Sequence, residues 1–257
     1  MTVYLVVPCF NEAERWNDNY WATMVKETNA TYLFVDDGST DGTPEILTAF
    51  TSRNSALTTH LPRNMGKAEA VRQGWQEILR THDLKDISAL GFMDADGAFE
   101  VNDVARLIDL VKAPPTDPSP EAWWSSRVAL AGRNIQRNMW RHYVGRVVAT
   151  YLSWGEPSIP YDTQSGLKLF ELNSDFICTI RNPFVTRWLF EMEILIRFRQ
   201  LAGRPMRVWE MPLLSWFDVA GSKVTKREST RVARELLLLK RAQRRGSVLP
   251  RTAAESS

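Results

Sequence analysis

The chain reads as an α/β protein with a mostly parallel central sheet and helices on both faces. Two observations predict this. Short apolar runs of strand character alternate with stretches of helical spacing through residues 1–112. Turn-forming and acidic residues follow the ends of those runs.

In order, Val3–Val7 is the first strand and ends in Pro8-Cys9-Phe10-Asn11-Glu12. A polar, aromatic stretch of helical character follows. Tyr32–Val35 is the second strand and runs into the turn-rich segment Asp36–Thr43. Thr43-Pro44-Glu45 has the form of a helix start, with Pro in the first turn. Leu57–His60 is a weaker third strand. Asn64-Met65-Gly66-Lys67 opens a helix through Arg80, Ile87–Met93 is the fourth strand, and Val101–Val111 has helical spacing. In sheets of this kind ligands bind beyond the carboxyl ends of the strands. Asn11, Glu12, Asp36, Asp37 and Asp94 all fall there, which predicts an acidic crevice. Asp94 and Asp96 are one residue apart at a strand end and suit a hard divalent cation, Mg²⁺ or Mn²⁺.

The crevice lacks the usual phosphate cradles. Pro8–Glu12 stands where a dinucleotide fold places G-x-G-x-x-G, and Gly66-Lys67 lacks the preceding Gly and following hydroxyl of a P-loop. An acidic site meets a diphosphate through a metal and reads base and ribose through carboxylates. That is the chemistry of a nucleotide-sugar site.

The 257 residues are enough for one core, with a small elaboration on the acceptor side. The expected organisation is a single catalytic domain, 1–245. It comprises a nucleotide-sugar half (1–112), an acceptor-side half (126–223) and a basic C-terminal helix (224–245); 246–257 is expected to be a disordered tail. No stretch approaches the ~18 apolar residues of a membrane span. Met1-Thr2-Val3-Tyr4 enters a strand without a basic leader, so a cytoplasmic protein is expected. Cys9 and Cys178 are expected as reduced, buried thiols, and three scattered His residues offer no zinc site.

Net charge is only +2, but residues 223–245 carry nine Lys/Arg against Glu228 and Glu235. That helix either packs on the body or meets an anionic lipid surface, where each basic side chain adds ~1 kcal/mol. Nucleic acid is disfavoured, because no aromatic interleaving accompanies the charge. After the Pro-rich Lys112–Pro120, Arg127–Ala131 reads as a fifth strand leading to Arg133. Residues 137–154 place Trp140, Tyr143, Val144, Val147, Val148, Tyr151 and Leu152 on one stripe, with Arg137, Arg141, His142 and Arg146 off it. Such a helix packs on a core or lies in a membrane interface.

Pro8-x-x-Asn11-Glu12, Val35-Asp36-Asp37-Gly38-Ser39, Asn64-x-Gly66-Lys67 and Asp94-Ala95-Asp96 resemble the donor half of family 2 glycosyltransferases with the GT-A fold. Gly132-Arg133, Asp162-Thr163-Gln164-Ser165-Gly166, Lys168-Leu169-Phe170, Arg187-Trp188 with Glu191 and Glu193, and Gly221-Ser222-Lys223 are similar to polyprenyl-phosphate sugar transferases. Asp94-Ala95-Asp96-Gly97-Ala98 and Asp162-Thr163-Gln164 are most similar to the dolichyl-phosphate glucosyltransferase branch. Ala98 departs from mannosyl relatives, where an amide ligand stands, so water or phosphate completes the metal shell.

The resemblance implies inverting, metal-dependent transfer of a hexose, glucose by branch, from a UDP-sugar to a polyprenyl phosphate at a membrane surface. Pro8, Asn11, Glu12, Asp37, Lys67, Asp94, Ala95 and Asp96 would bind the donor, with Asp94 and Asp96 on Mg²⁺ or Mn²⁺. Arg133, Arg146, Gln164, Ser165, Trp188, Ser222 and Lys223 would receive the acceptor. Arg133 and Arg146 would grip its phosphate, since guanidinium suits phosphate oxygens. Asp96, Arg133, Arg146, Glu193 and Lys223 carry the expected catalytic roles. A hydroxyl acceptor would instead need a base, Glu193 or Glu191. The lipid-phosphate transferase, a soluble transferase to a hydroxyl, and a non-catalytic nucleotide-sugar-binding protein remain open at this point.

Overall fold

A computed structural model of the chain describes residues 1–136, 150, 159–217 and 226–245. The expected 137–154 helix, Arg146, Ser222, Lys223 and the 246–257 tail lie outside the described residues, Thr150 apart.

The first half follows the expected order: β1 (Thr2–Cys9), α1 (Asp18–Glu27), β2 (Ala30–Asp36), α2 (Thr43–Thr51), β3 (Leu57–His60), α3 (Lys67–Thr81), β4 (Ile87–Met93) and α4 (Val101–Lys112). Then come β5 (Ala122–Ser126), β6 (Asn134–Gln136), β7 (Leu167–Glu171), α5 (Ser174–Ile180), α6 (Phe190–Ala202), β8 (Val208–Pro212), β9 (Ser215–Phe217) and α7 (Lys226–Arg245). Seven strands form the main sheet in the order β3-β2-β1-β4-β7-β5-β8, and β6 pairs with β9. β1 runs parallel to both β2 and β4. β7 is antiparallel to β4 and β5, and β5 is parallel to β8.

Both faces of the sheet are covered, as the apolar runs require. Val6, Val35, Trp75, Phe92, Trp124, Phe170 and Phe190 pack in one core. Leu5, Trp21, Phe34, Phe50, Leu107, Trp123 and Leu169 pack in the other. The alternation of Trp123 and Trp124 between the two cores is the period-2 signature of a strand buried on both sides.

Two expectations need correction. The strand after the Pro-rich segment is Ala122–Ser126, and residues 127–131 are a loop. The two buried Trp faces outweigh the aliphatic run that follows them. Cys9 is buried as expected, but Cys178 is exposed, because it lies off the α5 face formed by Phe176, Thr179 and Ile180.

Candidate active site at the strand ends

The ends of β1, β2 and β4 meet at the carboxyl edge of the sheet, and short polar loops lock them together. Asn11 takes a left-handed backbone (φ 52), which Asn tolerates. Its N–H donates to Ser39 Oγ (3.0 Å), and its Oδ1 accepts from the Thr40 N–H (2.9 Å). The Asp37 N–H donates to the Cys9 carbonyl (2.8 Å). Asn11 therefore splices two strand-end loops.

The Asp37 carboxylate accepts from the backbone N–H groups of Met65 (2.7 Å) and Gly66 (2.8 Å). Burial raises its pKa, and the two N–H groups and Arg187 act against that. As placed, Asp37 organises the turn before α3. Gly66 in that turn has φ 92, a conformation that strains any side chain larger than hydrogen. The turn delivers Lys67, whose Nζ lies 2.6 Å from Asp94 Oδ1. Burial pulls the Lys67 ammonium down, but Asp94 and Glu191 push it up, and the net shift is upward.

Asp94 is seated by its own N–H, which donates to the Gly166 carbonyl (2.9 Å). A Cβ on Gly166 would fall 2.1 Å from Asp94 Oδ2, so only glycine allows this approach. Gly166→Ala is expected to displace Asp94 from Lys67 and weaken UDP binding by about tenfold or more, one such factor being ~1.4 kcal/mol. Isothermal titration of UDP checks this, and unchanged affinity would show that the Asp94 position does not matter to the donor.

Asp96 Oδ1 accepts from the Ala98 N–H (3.1 Å). Burial and then the Asp94 charge raise its pKa. Glu12 is also raised, by burial first, against the Arg15 guanidinium at 2.6 Å. Its other oxygen is buried without a partner. Three acids, Glu12, Asp94 and Asp96, here face two cations, Arg15 and Lys67, and an excess of carboxylate with one buried unpartnered oxygen fits a divalent cation. No three His, Cys, Asp or Glu residues cluster as a metal site among the described residues. Asp94 and Asp96 are the carboxylates that would hold such a cation.

The acceptor-side motif abuts this corner through Gly166. Asp162 is buried and accepts from the Arg127 N–H, Nε and Nη2 at 2.8–2.9 Å. Gln164 follows, its N–H donating to Asp162 Oδ1 (3.3 Å). The Ser165 hydroxyl is fully buried and bonded to Ser125 Oγ, so the fold already engages it. Lys168 is fully buried; its Nζ donates to the Thr163 carbonyl (2.9 Å) and lies 3.3 Å from Glu191 Oε1. Burial lowers its pKa.

Glu193 has no exposed surface. It accepts from the Val185 and Thr186 N–H groups and the Thr186 hydroxyl, and it pairs with Arg197. Glu191 is buried with Oε2 unpartnered, so of the two candidate bases only Glu191 has a free oxygen. Pro8 sits in β1 opposite Val35. Ala95 is partly buried and packs on the second core, Arg133 is half-buried in the loop before β6, and Trp188 is exposed.

The structure thus brings Glu12, Lys67, Asp94 and Asp96 together, with Asp37 one turn away. Sequence reasoning gave no role to Arg15, Arg127, Lys168 or Arg187. Each acts by pairing with an acid distant in sequence or with a loop carbonyl, apart from Arg15, three residues from Glu12 and visible as a possible i,i+3 pair.

Residues 4–123 match the model of Glycosyl transferase family 2. The chain is 30% identical over 227 residues to a dolichyl-phosphate β-glucosyltransferase of Saccharomyces cerevisiae, covering 82% of this chain and 64% of that protein. It is 27% identical over 230 residues to the corresponding ALG5C protein of Trichomonas vaginalis, covering 85% of this chain and 65% of that one. The chain thus spans a little under two thirds of these relatives. Among solved structures, mannosyl-3-phosphoglycerate synthase from Rubrobacter xylanophilus aligns with TM-score 0.64 at 16% identity, over 98% of this chain and 78% of that one. Glucosyl-3-phosphoglycerate synthase from Mycobacterium tuberculosis, solved with Mn²⁺, UDP and glucosyl-3-phosphoglycerate, aligns with TM-score 0.60 at 15% identity, over 98% and 81%. The fold is GT-A, and residues 4–123 of the chain belong to glycosyl transferase family 2.

Proposed function

We propose that the protein transfers glucose from UDP-glucose to a polyprenyl phosphate of the dolichyl type at a membrane surface, with inversion. The observation that carries this reading is the reach of the similarity. It extends over 82% of the chain, past the donor half and through the Asp162–Lys168 segment that abuts Asp94. Asp94 and Asp96 would hold Mg²⁺ or Mn²⁺, which when bound supplies Lewis-acid neutralisation of the leaving diphosphate. Lys67 adds a positive charge on the same side and holds Asp94 in place. Pro8, Asn11, Glu12, Asp37 and Ala95 shape the donor wall.

The acceptor phosphate is ionised at neutral pH, so its oxygen needs no base. It needs cations, which Arg133 and Arg146 would supply. Ser222 and Lys223 would close the site, with Gln164 and Trp188 on its acceptor side, while the buried Ser165 supports that wall from behind. The polyprenyl chain puts the reaction at a membrane surface. Among the described residues no helix is long and apolar enough to cross a membrane. The basic helix α7 and the 137–154 stripe support peripheral attachment.

The test is a panel of UDP- and GDP-sugars with Mn²⁺ or Mg²⁺, with and without a short polyprenyl phosphate in bicelles. UDP-glucose with the lipid phosphate is expected to turn over fastest, and GDP binding tighter than UDP would overturn the donor assignment. Arg133→Ala is expected to cost ~2–5 kcal/mol on the acceptor side, as for a charge left unpaired, with UDP affinity kept. A second reading has one observation in its favour, the unpartnered Glu191 Oε2. Full-rate transfer to a water-soluble alcohol, lost in Glu191→Gln and kept in Arg133→Ala, would establish a hydroxyl acceptor instead.

A further inference from the structure

The basic C-terminal helix contains one acid whose environment contradicts a solvated face. Glu235 on α7 is 5% exposed. Its Oε1 accepts from the Arg187 N–H (3.0 Å), and its Oε2 accepts from the N–H groups of Trp188 (3.1 Å) and Leu189 (3.2 Å). Leu189 is the N-cap of α6 and Arg187 and Trp188 precede it, so these donors have no partner within the helix. Leu239 and Ala242 bury one helical turn and two turns further along α7, in the same core as Phe190 and Ile194. The helix is therefore bolted to the body at the point where Arg187 leaves it.

Arg187 reaches back 122 residues in sequence. Its Nη2 donates to the Met65 carbonyl (2.8 Å), and its Nε lies 3.0 Å from where a Cβ on Gly66 would stand. Its charge also lowers the Asp37 pKa. The Met65–Gly66 turn is thus held from two sides. Asp37 takes its N–H groups, and Arg187 takes its carbonyl. That turn starts α3 and aims Lys67 at Asp94.

We propose that α7 is part of the scaffold of the donor site, and that Glu235 is a positioning residue. It acts through Arg187 on the Met65–Gly66 turn, and through that turn on the Lys67–Asp94 pair. Coupling of this kind runs through rigid elements joined by hydrogen bonds, and single changes along such a path shift a distant site by a modest factor. The inference rests on the nucleotide reading only for its binding readout.

The test combines two readouts on the full chain. The first is amide hydrogen exchange at Met65 and Gly66 without nucleotide. The second is UDP affinity by calorimetry. Arg187→Ala and Glu235→Ala are each expected to speed exchange at those two amides and to weaken UDP about threefold to thirtyfold. The double variant is expected to be no weaker than the worse single one, since both act on one path. Arg187→Lys, which keeps the charge without the fork, is expected to fall between wild type and Arg187→Ala.

Additive losses would overturn the proposal. So would unchanged exchange in Arg187→Ala, or a lower melting temperature with exchange at the turn and UDP affinity both intact. If Glu235→Ala does not fold, Glu235→Gln takes its place. It keeps one acceptor oxygen for the Arg187–Leu189 N–H groups, and is expected to speed exchange at Met65 and Gly66 to a lesser degree, with unchanged exchange overturning the role of Glu235. If the wild type binds no UDP, the nucleotide reading falls, while exchange at Met65 and Gly66 still judges the path.

Discussion

Asp96→Asn is expected to abolish turnover and to remove the Mn²⁺-dependent part of UDP binding. A neutral amide is a poorer ligand for a hard cation than a carboxylate, and the diphosphate would lose its counter-charge. Unfolding does not explain such a loss, because stability should move the other way. Burial and Asp94 raise the Asp96 pKa in the folded protein. The folded state therefore holds this proton more tightly than the unfolded chain, and stability is lost as pH rises through the carboxylate range. At neutral pH the ionised Asp96 is a cost, and Asn removes it. The melting temperature without metal should be equal or higher, while calorimetry with Mn²⁺ shows weaker UDP binding. Full activity of the variant, or of the wild type in EDTA, would end the metal-site reading.

Glu193→Ala is expected to lower stability by about 3–5 kcal/mol, the usual cost of leaving one partner of a buried ion pair alone. Native stability is only ~5–15 kcal/mol, so this one change removes a large fraction of it. The loss falls on two groups at once. Arg197, 7% exposed at its side chain, is left without its carboxylate. The Val185 and Thr186 N–H groups lose their acceptor. Urea denaturation measures the change through a lower midpoint at similar slope. A stable Glu193→Ala that loses only catalysis would return Glu193 to the role of a base.

What the sequence revealed follows from where the determining interactions lie. β1 to β4 and their helices depend on local patterning, and their acidic ends sit where parallel strands end, so the Glu12–Asp94–Asp96 corner could be read directly. Asp37 was legible as a strand-end acid, but its engagement by Met65 and Gly66 was not. A carboxylate near a crevice looks the same whether a ligand or a later loop takes it. Glu193 was recognised as a candidate; its pairing with Arg197 is an i,i+4 contact within α6, but the donors from Val185 and Thr186 converge on it only in the folded turn before α6. Glu235 was hidden among nine basic neighbours, since only packing of α7 on α6 shows that it faces inward. The strand at Trp123-Trp124 was missed because its apolar run is only three residues long before Ser125-Ser126, and the Pro-rich segment obscured its start.

The position of β7 bears on how the chain is made. Residues 167–171 sit between β4 and β5, and the Glu171 N–H donates to the Glu121 carbonyl. A nascent chain that has emerged only through α4 has β1 to β4 in order but leaves the outer edge of β4 unpaired. The apolar Ala89–Met93 stretch then presents open hydrogen-bonding groups, the kind of edge that recruits other chains. The segment from β1 to α4 thus has its strand-end loops in place well before it is safe as a folding unit. It must wait for about 60 more residues, from Lys112 to Glu171, to leave the ribosome, several seconds at ordinary elongation rates. Chaperone dependence during synthesis would be governed by this interval.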